Sequence, residues 1–215
     1  MFKVTRLVRL ASGVDKASVD DLRVQLSSAL AGASRSVVEP TLPGSRNGGD
    51  ILVHAQFESE QSWGQIRPAL EAVLADVRIV HVDGVDYQTD STEVGSPGTV
   101  YRTLLLAVQP ETPAPVVAQF ESDLLLMPRY VSTITAFALT HPTNTCGASR
   151  WTHVFEQEFT DEAGIMGTYL MHPIHWAVVD RWFDPECPEF IIRARVCHSY
   201  CAIVEPVLAG EAITL

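Results

Sequence analysis

The residues best equipped for chemistry lie in Y169-L-M-H-P-I-H-W176. Tyr169, His172 and His175 recur every three residues, and Pro173 separates the two histidines. A histidine near its ordinary pKa can take or give a proton at neutral pH. A tyrosine hydroxyl beside it can donate to a carbonyl or enolate oxygen. Pro173 disfavours helical backbone at His172, so a helix arriving from Asp161 is expected to stop there. Pro173 then suits the first turn of a new short helix carrying His175 and Trp176. Such a break would turn these side chains toward the mouth of a cavity. A second reading of the same residues is structural: the histidines bond backbone groups at the break and Tyr169 fills the core. From the residues alone both readings stand.

The remaining candidates are weaker. His153 lies on an expected strand, where a slip of one residue would reverse its direction. His54 and His81 are lone strand histidines and read as structural. C197-H-S-Y-C201 resembles half of a zinc site, but its cysteines sit about 13 Å apart on a strand rising about 3.3 Å per residue. Buried free thiols are the expectation, with no metal site. Trp176 and Trp182, with Phe183, could wall a pocket, whereas Trp63 and Trp151 read as core. N47-G-G49 and S96-P-G98 lack the strand-to-helix setting of a phosphate loop.

The elements that must position these residues follow from periodicity. F2–L10 alternates and reads as a strand, and Ala17–Ala31 has helical apolar spacing with Ser18 as its cap. Strands are expected at 36–39, 51–57 and 77–83, with a helix from Ser62 to Leu74. The order is β-α-β-β-α-β. The polar run S91-T-E-V-G-S-P-G-T99 reads as a linker. Strand 100–108, a helix from Pro113 to Met127, strands 130–139 and 151–159, a helix from Asp161 to Met171 and strand 191–203 repeat that order. L42-P-G-S-R-N-G-G49 and H141–S149 read as loops. The expected class is α+β: two tandem ferredoxin-like domains whose antiparallel sheets pack face to face. The divisions are 1–92, a linker 93–99, 100–205 carrying the site, and a tail 206–215.

Composition excludes several classes of function. The 215 residues carry 15 basic and 26 acidic side chains, a net charge of −11. That sign disfavours nucleic acid and anionic membranes as partners. At 47% hydrophobic and 19% charged residues, the chain can form an ordinary core. No run reaches the length of a membrane helix, and MFKVTRLVRL lacks the continuous apolar stretch of a signal peptide. Four cysteines and no secretory segment make the cytoplasm the expected location.

The second half, from Val100 to Ile203, resembles the dimeric α/β-barrel (Dabb) family, also called the stress-responsive A/B barrel domain. The likeness rests on V100-Y-R-T-L-L-L, W151-T-H-V-F-E-Q-E-F159, D161-E162 and Y169-L-M-H-P-I-H175. The first half looks like a diverged copy, with Arg67 and Leu70 in Q65-I-R-P-A-L70 where the histidines would stand. Members pair through their sheets, so the resemblance implies an intramolecular α/β barrel, an internal pseudo-dimer, with the question of further homo-oligomers left open. The motif is similar to that of polyketide cyclases such as olivetolic acid cyclase. That likeness implies ring closure without a cofactor on a small-molecule substrate, with His175 as base and Tyr169 stabilising the oxyanion. His153, His172, Trp176 and Arg102 would bind substrate. The family's first-strand histidine is missing, and Arg102 or Thr103 stands near its place. The first half is expected to have no working site and to serve mainly as the second wall of the barrel.

Overall fold

Alternation along F2-K-V-T-R-L-V-R-L10 puts Phe2, Val4 and Val8 on one side of β1 (Phe2–Leu10), against helices. Lys3, Thr5 and Leu7 point the other way, into a layer shared with a second sheet. The computed structural model describes residues 1–89, 93–94 and 97–208. Parts of the expected linker and most of the expected tail lie outside the described residues.

The elements are β1, α1 (Lys16–Ala29), β2 (Arg35–Pro40), β3 (Ile51–Phe57), α2 (Glu60–Leu74) and β4 (Ile79–Gln88). There follow β5 (Glu93–Val94), β6 (Val100–Leu106), α3 (Ala114–Leu124), α4 (Leu126–Tyr130), β7 (Ile134–Thr140), β8 (Asn144–Cys146), β9 (His153–Phe159) and β10 (Cys197–Ala202). The result is a mixed α+β fold of two antiparallel sheets, ordered β2-β3-β1-β4-β8 and β10-β6-β9-β7-β5. Leaving out the short edges β8 and β5, each sheet has the ferredoxin-like order.

Several local expectations need correction. The cap of α1 is Asp15, whose carboxylate accepts from Ser18 N at 2.7 Å. The apolar run before Tyr130 stays helical through α4 because Met127 is buried there, so β7 begins only at Ile134. Ile191 and Ile192 bond the Trp182 carbonyl, which delays β10 to Cys197. Both presumed connectors contain strand. Glu93–Val94 pairs with β7, and Asn144–Cys146 crosses to pair with β4. The loop after β2 also crosses over: Arg46 and His198 exchange backbone hydrogen bonds at 2.8 Å, and Leu42 N donates to Tyr200 O at 2.9 Å.

The layer between the sheets is partly polar. Lys3 Nζ meets Glu156 Oε2 at 2.9 Å, with both side chains nearly inaccessible. Tyr101 Oη donates to Glu156 Oε1 at 2.8 Å. With that proton committed, Tyr101 Oη accepts from His54 Nδ1–H at 3.1 Å. His54 Nε2 is then left to accept from Gln56 Nε2 at 3.4 Å. At one end, Glu158 Oε1 accepts from Val207 N and Leu208 N at 2.6 Å each. Unpaired, these groups would cost several kcal/mol in desolvation, so the network matters chiefly by leaving none of them alone.

Burial holds His54 at a pKa of about 4, against the pull of Glu156. In the unfolded chain the ring takes its proton near the ordinary value, so stability supplied by neutral His54 is complete above that value and is lost as pH falls toward 4. The shift corresponds to about 3 kcal/mol across that window. Urea unfolding of wild type and His54→Gln from pH 7.5 to 5 should show the steeper loss in wild type. Parallel curves would contradict the assignment.

Candidate functional site

Residues alternate along β6 and β9. While Tyr101 and Glu156 face the other sheet, Arg102 and Gln157 face the helices of the second half. There they meet a chain segment that does not wind as an ordinary α-helix. Asp161 Oδ1 accepts from Gly164 N at 2.7 Å and starts a helix wound with π geometry over Gly164–Tyr169. It ends before His172, and a second helical segment opens at Pro173 and is π-wound over His175–Val179. The proline therefore breaks the helix at the expected residue. Wide π turns are frequent at functional sites because they re-aim side chains. In α2 the corresponding Pro68 is accommodated without a break.

Between this segment and the sheet lies a cavity of ≈ 320 Å³. Its walls are mainly apolar, from residues such as Leu104, Leu124, Ile165, Val179 and Phe183. Arg102, Tyr169, His175, His198 and Tyr200 supply polar groups. Arg102 is 1% exposed. Its Nη1 donates to Tyr169 Oη at 2.8 Å and to Gln157 Oε1, and its guanidinium lies 4.9 Å from the Tyr169 ring centroid. Both hydrogen-bond partners are neutral. Arg102 Nε and Gln157 Nε2 have no partner among the described residues. The Tyr169 and His175 rings meet edge to face at 4.9 Å. His175 Nδ1 lies 3.4 Å from Asp180 Oδ1.

His198 was not singled out by sequence. Burial, then the nearby charges of Arg102 and Arg46, push its pKa well below the ordinary value, so it stays neutral. Tyr200 donates to the Pro43 carbonyl and contacts Met166 Sδ at 3.2 Å. Gly44 and Arg46, from the first half, also line this cavity. Gly44 has φ +95°, and a Cβ there would run into the Tyr200 hydroxyl. The first half, expected to serve mainly as the second wall of the barrel, thus contributes this loop to the cavity lining. The alternating pattern of C197-H-S-Y-C201 could have flagged His198 and Tyr200 as sharing a face.

The other expected site residues lie elsewhere. His153 is buried against Glu121 and His141, off the cavity lining. His172 accepts from Ile174 N at 3.3 Å, a bond within the helix break. Trp176 is 60% exposed and stands outside the cavity. Thr103 is buried on the side of β6 away from Arg102. A groove of ≈ 280 Å³ near Arg6, Arg67, Glu71 and Asp86 is closed on one side by β8, from Asn144 to Cys146. Its charges are paired, Arg6 with Asp86 and Arg67 with Glu71, each at 2.6 Å. A larger cleft of ≈ 720 Å³ between α1, β2 and residues 202–207 has no histidine, tyrosine or cysteine in its lining.

Comparison with known proteins fits this architecture. Residues 100–197 match the stress responsive A/B barrel domain. That Dabb region runs from β6 into β10 and contains the cavity's Arg102, Tyr169 and His175. No curated protein sequence matches the chain. Among solved structures, an anthrone oxidase-like protein is 11% identical, with a TM-score of 0.65, and the match covers 97% of this chain and 96% of that one. A mutant chlorite dismutase from Candidatus Nitrospira defluvii is 10% identical, with a TM-score of 0.54 and coverage of 93% and 90%. A monooxygenase candidate from Lactobacillus acidophilus NCFM is 6% identical, with a TM-score of 0.51 and coverage of 94% and 92%. At these identities the likeness establishes fold alone. Among the described residues no helix is long and apolar enough to cross a membrane.

Tyr169→Phe would take one of two acceptors from a buried guanidinium. It should lower the unfolding free energy by about 1–3 kcal/mol, read by thermal or urea unfolding. Unchanged stability would contradict the bond's supporting role.

Proposed function

We propose that the chain is a cofactor-independent enzyme using acid/base chemistry on a small, mostly apolar carbonyl compound in the second-half cavity. Cyclisation, aldol or retro-aldol cleavage and isomerisation all share the needed step, proton transfer beside a carbonyl. The observation that carries this reading is Arg102. It is a buried cation whose hydrogen-bond partners are neutral, beside an apolar cavity. A buried charge without a counterion is costly, and an enolate oxygen would supply one.

The division of labour follows from the hydrogen bonds. Arg102 donates to Tyr169 Oη, and the tyrosine's own O–H has no acceptor among the described residues. That proton is available to a substrate oxygen, and the guanidinium makes it a stronger donor. His175 is the base. Asp180, near Nδ1, favours the tautomer with its proton on that nitrogen and leaves Nε2 to abstract a proton from substrate carbon. The proton returns from the same imidazolium to carbon or to the leaving group. Arg46 at the lining adds a second cation that would favour a substrate bearing a carboxylate or acidic phenol. His172, His153 and Trp176 have no part in this scheme.

We further read residues 1–92 and 100–205 as tandem ferredoxin-like copies forming an α/β barrel within one chain, an internal pseudo-dimer acting in the cytoplasm. The shared strand order and the common layer between the sheets support this.

Incubating purified protein with cell extract and profiling metabolites by mass spectrometry tests the activity. A compound consumed by wild type should persist with Tyr169→Phe/His175→Ala. Once the substrate is known, each single variant should lose about 10²–10³-fold in kcat. A compound retained by both proteins and consumed by neither would make this a binding module instead.

A further inference from the structure

A second cluster sits apart from the cavity lining. Glu121 on α3, His141 just after β7 and His153 at the start of β9 come from three elements, yet their side chains converge. Glu121 Oε1 lies 3.0 Å from His141 Nε2 and 3.0 Å from His153 Nε2. One ligand atom from each residue fits within a 4.8 Å span.

Thr152 stands behind both rings. His141 Nδ1 lies 3.0 Å from the Thr152 carbonyl, which can only accept, so Nδ1 carries the proton. His153 Nδ1 lies 2.8 Å from Thr152 Oγ1. That hydroxyl accepts from Val108 N at 2.9 Å, and its own proton can go to His153 Nδ1 or to the Leu106 carbonyl at 3.3 Å. In the neutral His141 ring Nε2 is therefore the bare nitrogen, and His153 Nε2 is bare in the tautomer whose proton sits on Nδ1. In that tautomer two imidazole lone pairs face the Glu121 carboxylate oxygen.

A carboxylate oxygen with an imidazole nitrogen 3.0 Å away on each of two rings is also a ready-made ligand set. A single cation satisfies all three ligands at once. The 3.0 Å spacing is the edge of a coordination polyhedron with bonds of about 2.1 Å at right angles.

We propose that Glu121, His141 and His153 bind one divalent first-row transition ion, with Thr152 positioning both imidazoles. Two nitrogens and one oxygen suit zinc, cobalt, iron or manganese, with selectivity left to availability. The His141 side chain is 64% exposed and that of Glu121 28%, so the remaining coordination positions open to solvent. The site would hold an exchangeable ion that can take water or a small ligand. It also accounts for His153 being turned away from the substrate cavity. The expectation of no metal rests on the Cys197–Cys201 pair, whereas this triad is scattered over 33 residues of sequence and appears only on folding.

The test is titration of chelator-treated full-length protein with Co²⁺, followed by its visible absorbance, with Zn²⁺ displacement as a second readout. One ion per chain should bind, and His141→Ala and Glu121→Gln should each weaken binding at least tenfold. Both replaced side chains reach solvent, and circular dichroism will check that the variants stay folded. Absence of binding by wild type at millimolar Co²⁺ would overturn the proposal. So would equal affinity in folded wild type, His141→Ala and Glu121→Gln, which would place the ion elsewhere, for instance at the exposed Cys146 thiol.

Discussion

Glu156 is the constraint on which the rest of the structure depends. It is a fully buried carboxylate between two sheets, and burial alone would push its pKa up. Lys3 and the hydrogen bond from Tyr101 more than offset that and keep it ionised. Lys3 comes from the first strand of one half, and Glu156 from a central strand of the other. A slip of either strand by one residue would carry its charge to the opposite face, away from its partner. The pair therefore holds two sheets in one alignment, which apolar packing of Leu7, Leu52, Leu105 and Val154 would define less strictly.

That alignment also sets the cavity. Along β6, Tyr101 reaches the buried network and Arg102 reaches the cavity; along β9, Glu156 and Gln157 divide the same way. The register that satisfies Glu156 is the register that puts Arg102 beneath Tyr169. The loop after β2 then closes one wall by pairing with β10, bringing Gly44 and Arg46 across from the first half. The halves are thus joined both through the shared layer and at the candidate site. Their likeness in strand order hides a difference in use: in the first half the grooved face has its cations neutralised by carboxylates, whereas Arg102 has only neutral hydrogen-bond partners.

Much of this was legible in the sequence where a local rule governs. Alternation gave the central strands, and Pro173 marked the helix break because its effect on His172 is local. Tyr169 and His175 could be picked out together because the break aims both into one region. What the sequence concealed depends on distant partners. The edge strands Glu93–Val94 and Asn144–Cys146 are too short for any period to show, and exist because an open sheet edge receives them. His153 alternates with Val154 as expected of a strand, but its position near the end of β9 carries it to Glu121 and His141. Winding of the Tyr169 segment with π geometry likewise has no signature in residue spacing.

The central claim is that Arg102 and Tyr169 form a cradle for an oxyanion inside an apolar cavity. Its most direct measurement is the ionisation of a small nitrophenol bound to the protein, followed by phenolate absorbance as pH is varied. The account predicts that the bound probe ionises at lower pH than the free one, and that the difference shrinks in Tyr169→Phe. A bound probe that ionises at the same or higher pH than in water would contradict it, because the cavity would then act only as an apolar hole.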